Sequence, residues 1–207
     1  FPGTDTGSMA GRLADIFFKH IVCSSDYGID LHTAAIHRDN LPQIRADLTN
    51  NRLEKLAKAY AAPVLLHSAP PQGSLRYTGS EDDCSIMVYE AGEALRFDEV
   101  SIRIGARGVL NVLKGLNMLP ASRVTKQQYK STLLRSTSWV RAAQSGVMRA
   151  QAGLGDLVER DQVIALISDP SGDHSIEIKA PFSGVVIGRT NLPLVYEGEA
   201  LFHIGRA

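Results

Sequence analysis

Over its first 120 residues the chain alternates short apolar runs with amphipathic helical segments, and this alternation restricts the fold more than any other feature. The helical segments are residues 8–22, 51–60 and 100–116, and the apolar runs are residues 63–66 and 86–89. Apolar side chains recur at helical spacing in the first set, whereas the second set is typical of strands buried on both faces. Strands that alternate with helices predict an α/β fold in which helices flank the sheet.

The pattern changes after Pro120. Residues 121–135 are polar, and beyond Trp139 short strand-like runs are separated by Gly, Asp and Pro. We therefore predict two domains, an α/β domain over residues 1–120 and a small all-β domain over residues 121–207.

The all-β half resembles a known type of domain. Residues 155–164 and 180–186 are similar to the hairpins of biotinyl and lipoyl carrier domains, which implies a barrel-sandwich fold. Those carriers present a modifiable lysine at a hairpin tip, but here residues 171–174, Ser-Gly-Asp-His, occupy that place. The resemblance therefore implies the fold and not a swinging arm.

Composition narrows the classes of function. Lys and Arg number 22, as do Asp and Glu, so the zero net charge argues against a nucleic-acid partner and favours a small molecule. No apolar run approaches the roughly 20 residues of a membrane helix, so no membrane partner is expected. The two cysteines have no C-x-x-C spacing, which fits a cytoplasmic protein. A homo-oligomer is left open.

Two polar residues lie at the end of the strand-like apolar run that begins at Tyr27. Asp30 and His32 are two residues apart, so on a strand both side chains would lie on one face. A metal ligand and the carboxylate that orients it are commonly presented in this way. A structural histidine satisfied by its neighbour would give the same spacing, so the pair alone leaves both interpretations open.

Six segments, spread in order over nearly the whole chain, carry a more specific resemblance. They are Phe-Pro-Gly at 1–3, Asp-Leu-His-Thr at 30–33, Asn-Leu-Pro-Gln-Ile-Arg-Ala-Asp at 40–47, Gly-Ser-Leu-Arg at 73–76, Tyr-Glu-Ala-Gly-Glu-Ala-Leu-Arg-Phe-Asp-Glu at 89–99 and Ile-Gly-Arg-Thr-Asn-Leu-Pro-Leu-Val at 187–195. Together they resemble the succinylglutamate desuccinylase and aspartoacylase family of zinc deacylases. The resemblance implies a zinc-carboxypeptidase-like mixed sheet and hydrolysis of the amide bond of a small N-acyl amino acid.

The resemblance also implies roles for residues at strand ends. His32 would be the third protein ligand of a catalytic zinc, with Asp30 as the partner that orients it. Glu90 matches the general base of the family, which takes a proton from water and returns it to the leaving amine. Glu93, three residues later and on the other strand face, is the less favoured candidate, and a solvated carboxylate on a turn is the alternative for either glutamate.

Two arginines are candidates for binding the substrate. Arg76 stands where a loop arginine of the family contacts the substrate carboxylate, a task that suits the guanidinium fork; a surface arginine is the alternative. Arg45 lies in a predicted polar loop and is the weaker candidate, because a salt bridge to Asp47 or Asp39 would account for it. That loop departs from the desuccinylases proper, so the acyl group stays open.

The other two zinc ligands of the family belong to a His-x-x-Glu motif that would precede Phe1, so we expect the N-terminal strands and both ligands to lie upstream of this chain. The His-x-x-Glu at His174 is not a substitute, because an odd offset in a strand points the two side chains to opposite faces. We therefore predict a zinc-dependent deacylase that is incomplete in this chain. The alternative is a non-catalytic module that binds carboxylates or assembles on a deacylase scaffold.

Overall fold

A computed structural model describes residues 1–120 and 130–207 of the chain. The first half contains α1 (Met9–His20), β1 (Tyr27–His32), β2 (Arg38–Ala46), α2 (Asn51–Tyr60), β3 (Val64–His67), α3 (Leu75–Glu81), β4 (Ser85–Gly92) and α4 (Glu99–Gly115). The second half contains β5 (Thr132–Leu134), β6 (Ser136–Arg141), β7 (Gly146–Ala150), β8 (Leu157–Val158), β9 (Val163–Ser168), β10 (Ser175–Lys179), β11 (Gly184–Thr190), β12 (Leu194–Val195) and β13 (Ala200–Arg206).

The three predicted helices are confirmed, and side-chain caps explain where they begin. The Ser8 hydroxyl accepts a hydrogen bond from the Gly11 amide at the start of α1. The Asn50 side chain accepts from the first amides of α2, and Asp98 does the same for α4. A polar side chain before a helix satisfies amides that have no partner within the helix, which stabilises the first turn.

Two elements differ from the sequence-based prediction. The predicted polar loop that leads to Arg45 is the nine-residue strand β2, whose residues alternate between a core face with Ile44 and Ala46 and a polar face. The predicted loop at Arg76 is the start of α3, which Ser74 caps by accepting from the Tyr77 amide. Both segments were predicted as loops because their polar residues hide the periodicity, although those polar side chains are largely buried.

The strands build the predicted mixed sheet. Within the described residues it has nine strands, with the order β1-β4-β2-β11-β13-β6 along its main path. β1 pairs with β4 in parallel, β2 pairs with β4 and β11 antiparallel, and β3 pairs with β2 in parallel. Strands of the second half therefore extend the sheet of the first half. A separate four-stranded sheet has the order β10-β9-β7-β12.

The proposed boundary between residues 120 and 121 stays a prediction, because residues 121–129 lie outside the described part of the chain. The second half nevertheless has its own apolar cluster, formed around fully buried residues such as Ile164 and Phe202. The expected hairpin is present: β9 and β10 are antiparallel, and the Ser-Gly-Asp-His tip lies between them.

Helices cover both faces of the sheet in the first half, and this determines where the polar residues point. Met87 and Tyr89 of β4 belong to the core cluster beneath α2 and α4. Ile86 belongs to another cluster, with residues of α1 and α3 packed against it. Because side chains alternate along a strand, Glu90 lies on the same face as Ile86, away from α2 and α4.

Helix α4 packs closely against α2 through glycine. A Cβ at Gly108 would fall within the ring of Tyr60, which is fully buried. We expect Gly108→Ala to lower the free energy of unfolding by about 1–3 kcal/mol despite the better helix propensity of alanine. Gly115→Ala on the same helix is the control, because its Cβ would make an ordinary 3.6 Å contact with Ala59. Urea unfolding measures both variants, and equal stabilities would contradict the tight contact.

Candidate active site

His32 lies at the end of β1 and is oriented by Asp30, as the spacing predicted. Its Nε2 is 3.0 Å from Asp30 Oδ2, and about half of the His32 side chain is exposed. The contact fixes the imidazole ring on the strand face that also carries the carboxylate. Because Asp30 occupies Nε2, Nδ1 is the nitrogen of His32 that would bind a metal.

Glu90 lies beside His32 on the neighbouring strand. The two residues are register partners across the parallel β1–β4 pair, so both side chains project from the same face, with strands about 4.8 Å apart. Glu90 Oε2 accepts a hydrogen bond from Asn40 Nδ2 at 3.0 Å and pairs with Arg45 Nη2 at 2.9 Å. These contacts hold one carboxylate oxygen, Oε2.

Glu93 has a different set of contacts. Its carboxylate accepts hydrogen bonds from the His37 amide and from Asn191 Nδ2, and it pairs with Arg96 at 3.2 Å. Although desolvation raises the pKa of Glu93, the hydrogen bonds from His37 and Asn191 and the charge of Arg96 together hold it below its usual value. Glu93 thus joins the β1–β2 loop to the segment after β11, and both of its carboxylate oxygens are engaged by protein groups.

Arg45 contacts Glu90 and not the two aspartates considered from the sequence. Its Nε also donates to Gln43 Oε1 at 3.3 Å, along the polar face of β2. The loop predicted here was wrong, and the strand explains the contact because Gln43 and Arg45 lie on one face. Arg45 therefore places a positive charge against the candidate base.

Arg76 is buried on α3 and keeps unused hydrogen-bond donors. It is 9% exposed, and its Nη1 and Nη2 donate to the backbone oxygen and the hydroxyl of Ser68. Within the described residues no carboxylate lies at ion-pair distance from it. Burial, followed by the charge of Arg45, lowers the pKa of Arg76. It lines a cavity of about 340 Å³ together with Asp47 and Asp83, whereas His32 and Glu90 are not among the residues that line that cavity.

The described residues supply only part of a zinc site. His32, oriented by Asp30, suits a metal ligand, but residues 1–120 and 130–207 contain no group of three His, Cys, Asp or Glu that could hold a metal ion. A catalytic zinc needs three protein ligands. The residues present therefore do not form a zinc site by themselves.

Sequence reasoning missed the contact of Asn40 with Glu90, whereas His203 has a structural position that fits its lack of a ligand partner in the sequence. Asn40 is 8% exposed and contacts Glu90, but the segment was predicted as a loop. His203 of β13 is 5% exposed and stacks on Trp139 with ring centroids 4.4 Å apart. Its Nδ1 is the single buried side-chain polar atom in the described part that lacks a partner. Burial and the charge of Arg45 lower the pKa of His203 to about 4, so the ring is neutral at pH 7.

The family of the chain follows from comparison with known proteins. A family model described as the succinylglutamate desuccinylase/aspartoacylase catalytic domain matches residues 1–116. The chain belongs to this family. No helix in the described residues has the length and apolar character needed to span a bilayer.

Individual relatives place the fold within the family. The N-alpha-acetyl-L-2,4-diaminobutyric acid deacetylase of Halomonas elongata is 26% identical over 200 residues, which cover 91% of this chain and 58% of that protein. The ectoine utilization protein EutE (DoeB) of Ruegeria pomeroyi has a TM-score of 0.88 at 22% identity, over 100% of this chain and 68% of that one. A succinylglutamate desuccinylase/aspartoacylase of Rhodobacter sphaeroides has a TM-score of 0.87 at 22% identity, over 100% of this chain and 66% of that one. The α/β fold with a mixed sheet is confirmed.

Acid is expected to weaken the fold through His203. The pKa of His203 is about 4 in the folded protein, against a reference value of 6.5. Between pH 4 and pH 6.5 the unfolded chain therefore binds more protons than the folded protein. The free energy of unfolding therefore falls as the pH drops from 6.5 through 4. In His203→Phe, which keeps a ring against Trp139, the fall in the free energy of unfolding with pH should be smaller by about 2–3 kcal/mol. Urea unfolding at pH 7 and pH 4.5 measures it, and an unchanged pH dependence would contradict the neutral buried ring.

Proposed function

We propose that this protein hydrolyses the amide bond of a small N-acyl amino acid, with Glu90 as the general base. The observation that carries the proposal is the register of His32 and Glu90 on adjacent strands, with Asp30 orienting the histidine. Membership of the deacylase family supports it, as does the similarity to a deacetylase of N-acetyl diaminobutyric acid. The acyl group and the amino acid stay open.

Zinc is part of the proposal, with His32 as one ligand. The described residues do not supply the other ligands, and the chain spans 58% of the length of the Halomonas relative. A zinc ion there would polarise the scissile carbonyl and lower the pKa of water. Within the chain itself, the contribution to that site is the Nδ1 of His32, which the Asp30 contact keeps directed away from the carboxylate.

The two carboxylate oxygens of Glu90 have different contacts, which suits this residue to the proton transfer. Oε2 is held by Asn40 and Arg45, so Oε1 would take the proton from the attacking water and return it to the leaving nitrogen. Arg45 places a positive charge 2.9 Å from Oε2. The same residue is less suited to binding the substrate carboxylate than the sequence suggested, because its Nη2 is already paired.

Arg76 is the better candidate for the substrate carboxylate. Among the described residues Ser68 is the hydrogen-bond partner of this buried guanidinium, and a bidentate carboxylate would use the N–H donors that Ser68 leaves free. The cavity that it lines is large enough for a small amino acid derivative.

Removing the base should abolish most turnover. We expect Glu90→Gln to lower kcat by about 10²- to 10⁴-fold with little change in KM, because the amide cannot accept the proton. Hydrolysis of a panel of N-acetyl and N-succinyl amino acids measures this in the complete protein. Glu99→Gln in the exposed first turn of α4 is the control and should be silent. Near-normal turnover for Glu90→Gln, or a loss with Glu93→Gln alone, would reject the assignment.

Arg76→Lys should raise KM by about 10- to 100-fold while kcat changes little, because lysine keeps the charge and loses the fork. Arg52→Lys is the matched control, since Arg52 lines the same cavity without a predicted role. Thermal unfolding of both variants checks that the loss of the Ser68 contacts has not unfolded α3. An unchanged KM in a folded Arg76→Lys protein would show that the carboxylate binds elsewhere.

A second candidate is a non-catalytic module that binds carboxylates or assembles on the deacylase scaffold. The incomplete metal-ligand set within the described residues favours it. Such a protein would bind an N-acyl amino acid through Arg76 with the same affinity before and after treatment with a chelator, and would not hydrolyse it. Hydrolysis that a chelator stops and zinc restores would exclude this candidate.

A further inference from the structure

Asn40 is buried beside the candidate base and has one short contact with it. The residue lies on β2, is 8% exposed, and donates from Nδ2 to Glu90 Oε2 at 3.0 Å. Arg45 reaches the same oxygen, but it does so through a long side chain that is 24% exposed. A short buried carboxamide restricts the rotation of a carboxylate more than a flexible guanidinium does, because it has fewer rotatable bonds to adjust.

The space for the Asn40 side chain comes from the second half of the chain. Gly188 of β11 is the register partner of Asn40 across the antiparallel β2–β11 pair. A Cβ at Gly188 would lie 2.7 Å from Asn40 Oδ1 and 3.3 Å from the Cβ of His203. Position 188 does not need glycine for a left-handed backbone, because it has no positive φ. The requirement is therefore steric, and any side chain there would displace the carboxamide.

We propose that Asn40 is a positioning residue that fixes the Glu90 carboxylate, and that Gly188 admits the Asn40 side chain. Glu90 then presents Oε1 to the reaction because Asn40 and Arg45 hold Oε2 in place. The β half of the chain thereby takes part in catalysis without touching the substrate. This inference rests on the proposed function, in which Glu90 is the base.

The activity test is a double-mutant cycle between Asn40 and Glu90 in the complete protein. Asn40→Ala is expected to lower kcat by about 10- to 100-fold with KM within twofold, the size expected for losing a hydrogen bond to a charged group. In the Glu90→Gln background, Asn40→Ala should cause no further loss, because there is no base left to position. A purely structural asparagine would give equal losses in both backgrounds, and that result would overturn the proposal.

Gly188→Ala tests the second claim of the proposal, that Gly188 admits the Asn40 side chain. It should lower kcat like Asn40→Ala, and the combination of both substitutions should be no worse than either one, because the added methyl acts through Asn40. Arg189→Ala is the control, since the next residue of β11 points to the opposite face and should leave kcat unchanged. Additive losses for Asn40→Ala and Gly188→Ala would show that Gly188 acts by another route and would overturn this claim.

A stability cycle separates the inference from the proposed function. Gly188→Ala should lower the urea midpoint in the parent protein and lower it less in the Asn40→Ala background, where the methyl group finds space. Absence of hydrolysis in the parent protein would overturn the proposed function and the positioning role with it. Hydrolysis in the parent that Asn40→Ala leaves intact would overturn the positioning role alone.

Discussion

Strand β2 organises both the sheet and the site, because it is bonded to neighbours from both halves of the chain. It pairs with β4 and β3 of the first half and with β11 of the second. One face carries Ile44 and Ala46 into the core beneath the helices, and Arg45 on the other face pairs with Glu90. Asn40 also reaches Glu90 because the β2–β4 register shifts between Asn40 and Gln43. The alternation that builds the core and this irregularity together set the geometry of the candidate site.

Charge in the site is distributed unequally between the two arginines. Arg45 is paired with Glu90, so its charge is largely neutralised within the protein. Arg76 donates to Ser68 and, among the described residues, has no carboxylate at ion-pair distance. Under the proposed function, a bound substrate carboxylate would supply that charged partner.

Sequence reasoning placed the elements correctly where apolar residues are buried and polar residues are exposed. Apolar runs and capped helices were placed within a few residues, and the spacing of Asp30 and His32 predicted their contact because strand side chains alternate. It failed at β2 and α3, where polar residues are buried because they have polar partners. Asn40 contacts Glu90, and Arg76 contacts Ser68. A pattern that equates polar with exposed cannot find these elements, and the contact between Asn40 and Gly188 spans a sequence separation that no local pattern records.

The β half is bound to the site by more than one contact, which argues against an independent appendage. Gln43, fully buried on β2, donates to the backbone oxygen of Ile187, and Glu93 accepts from Asn191 just after β11. These bonds flank Gly188 on both sides along the chain. Movement of β11 relative to β2 and β4 would break both bonds, so they hold the β half against the strands that carry the candidate site. A carrier-type swinging role would need the opposite, a loosely attached domain with a modifiable tip.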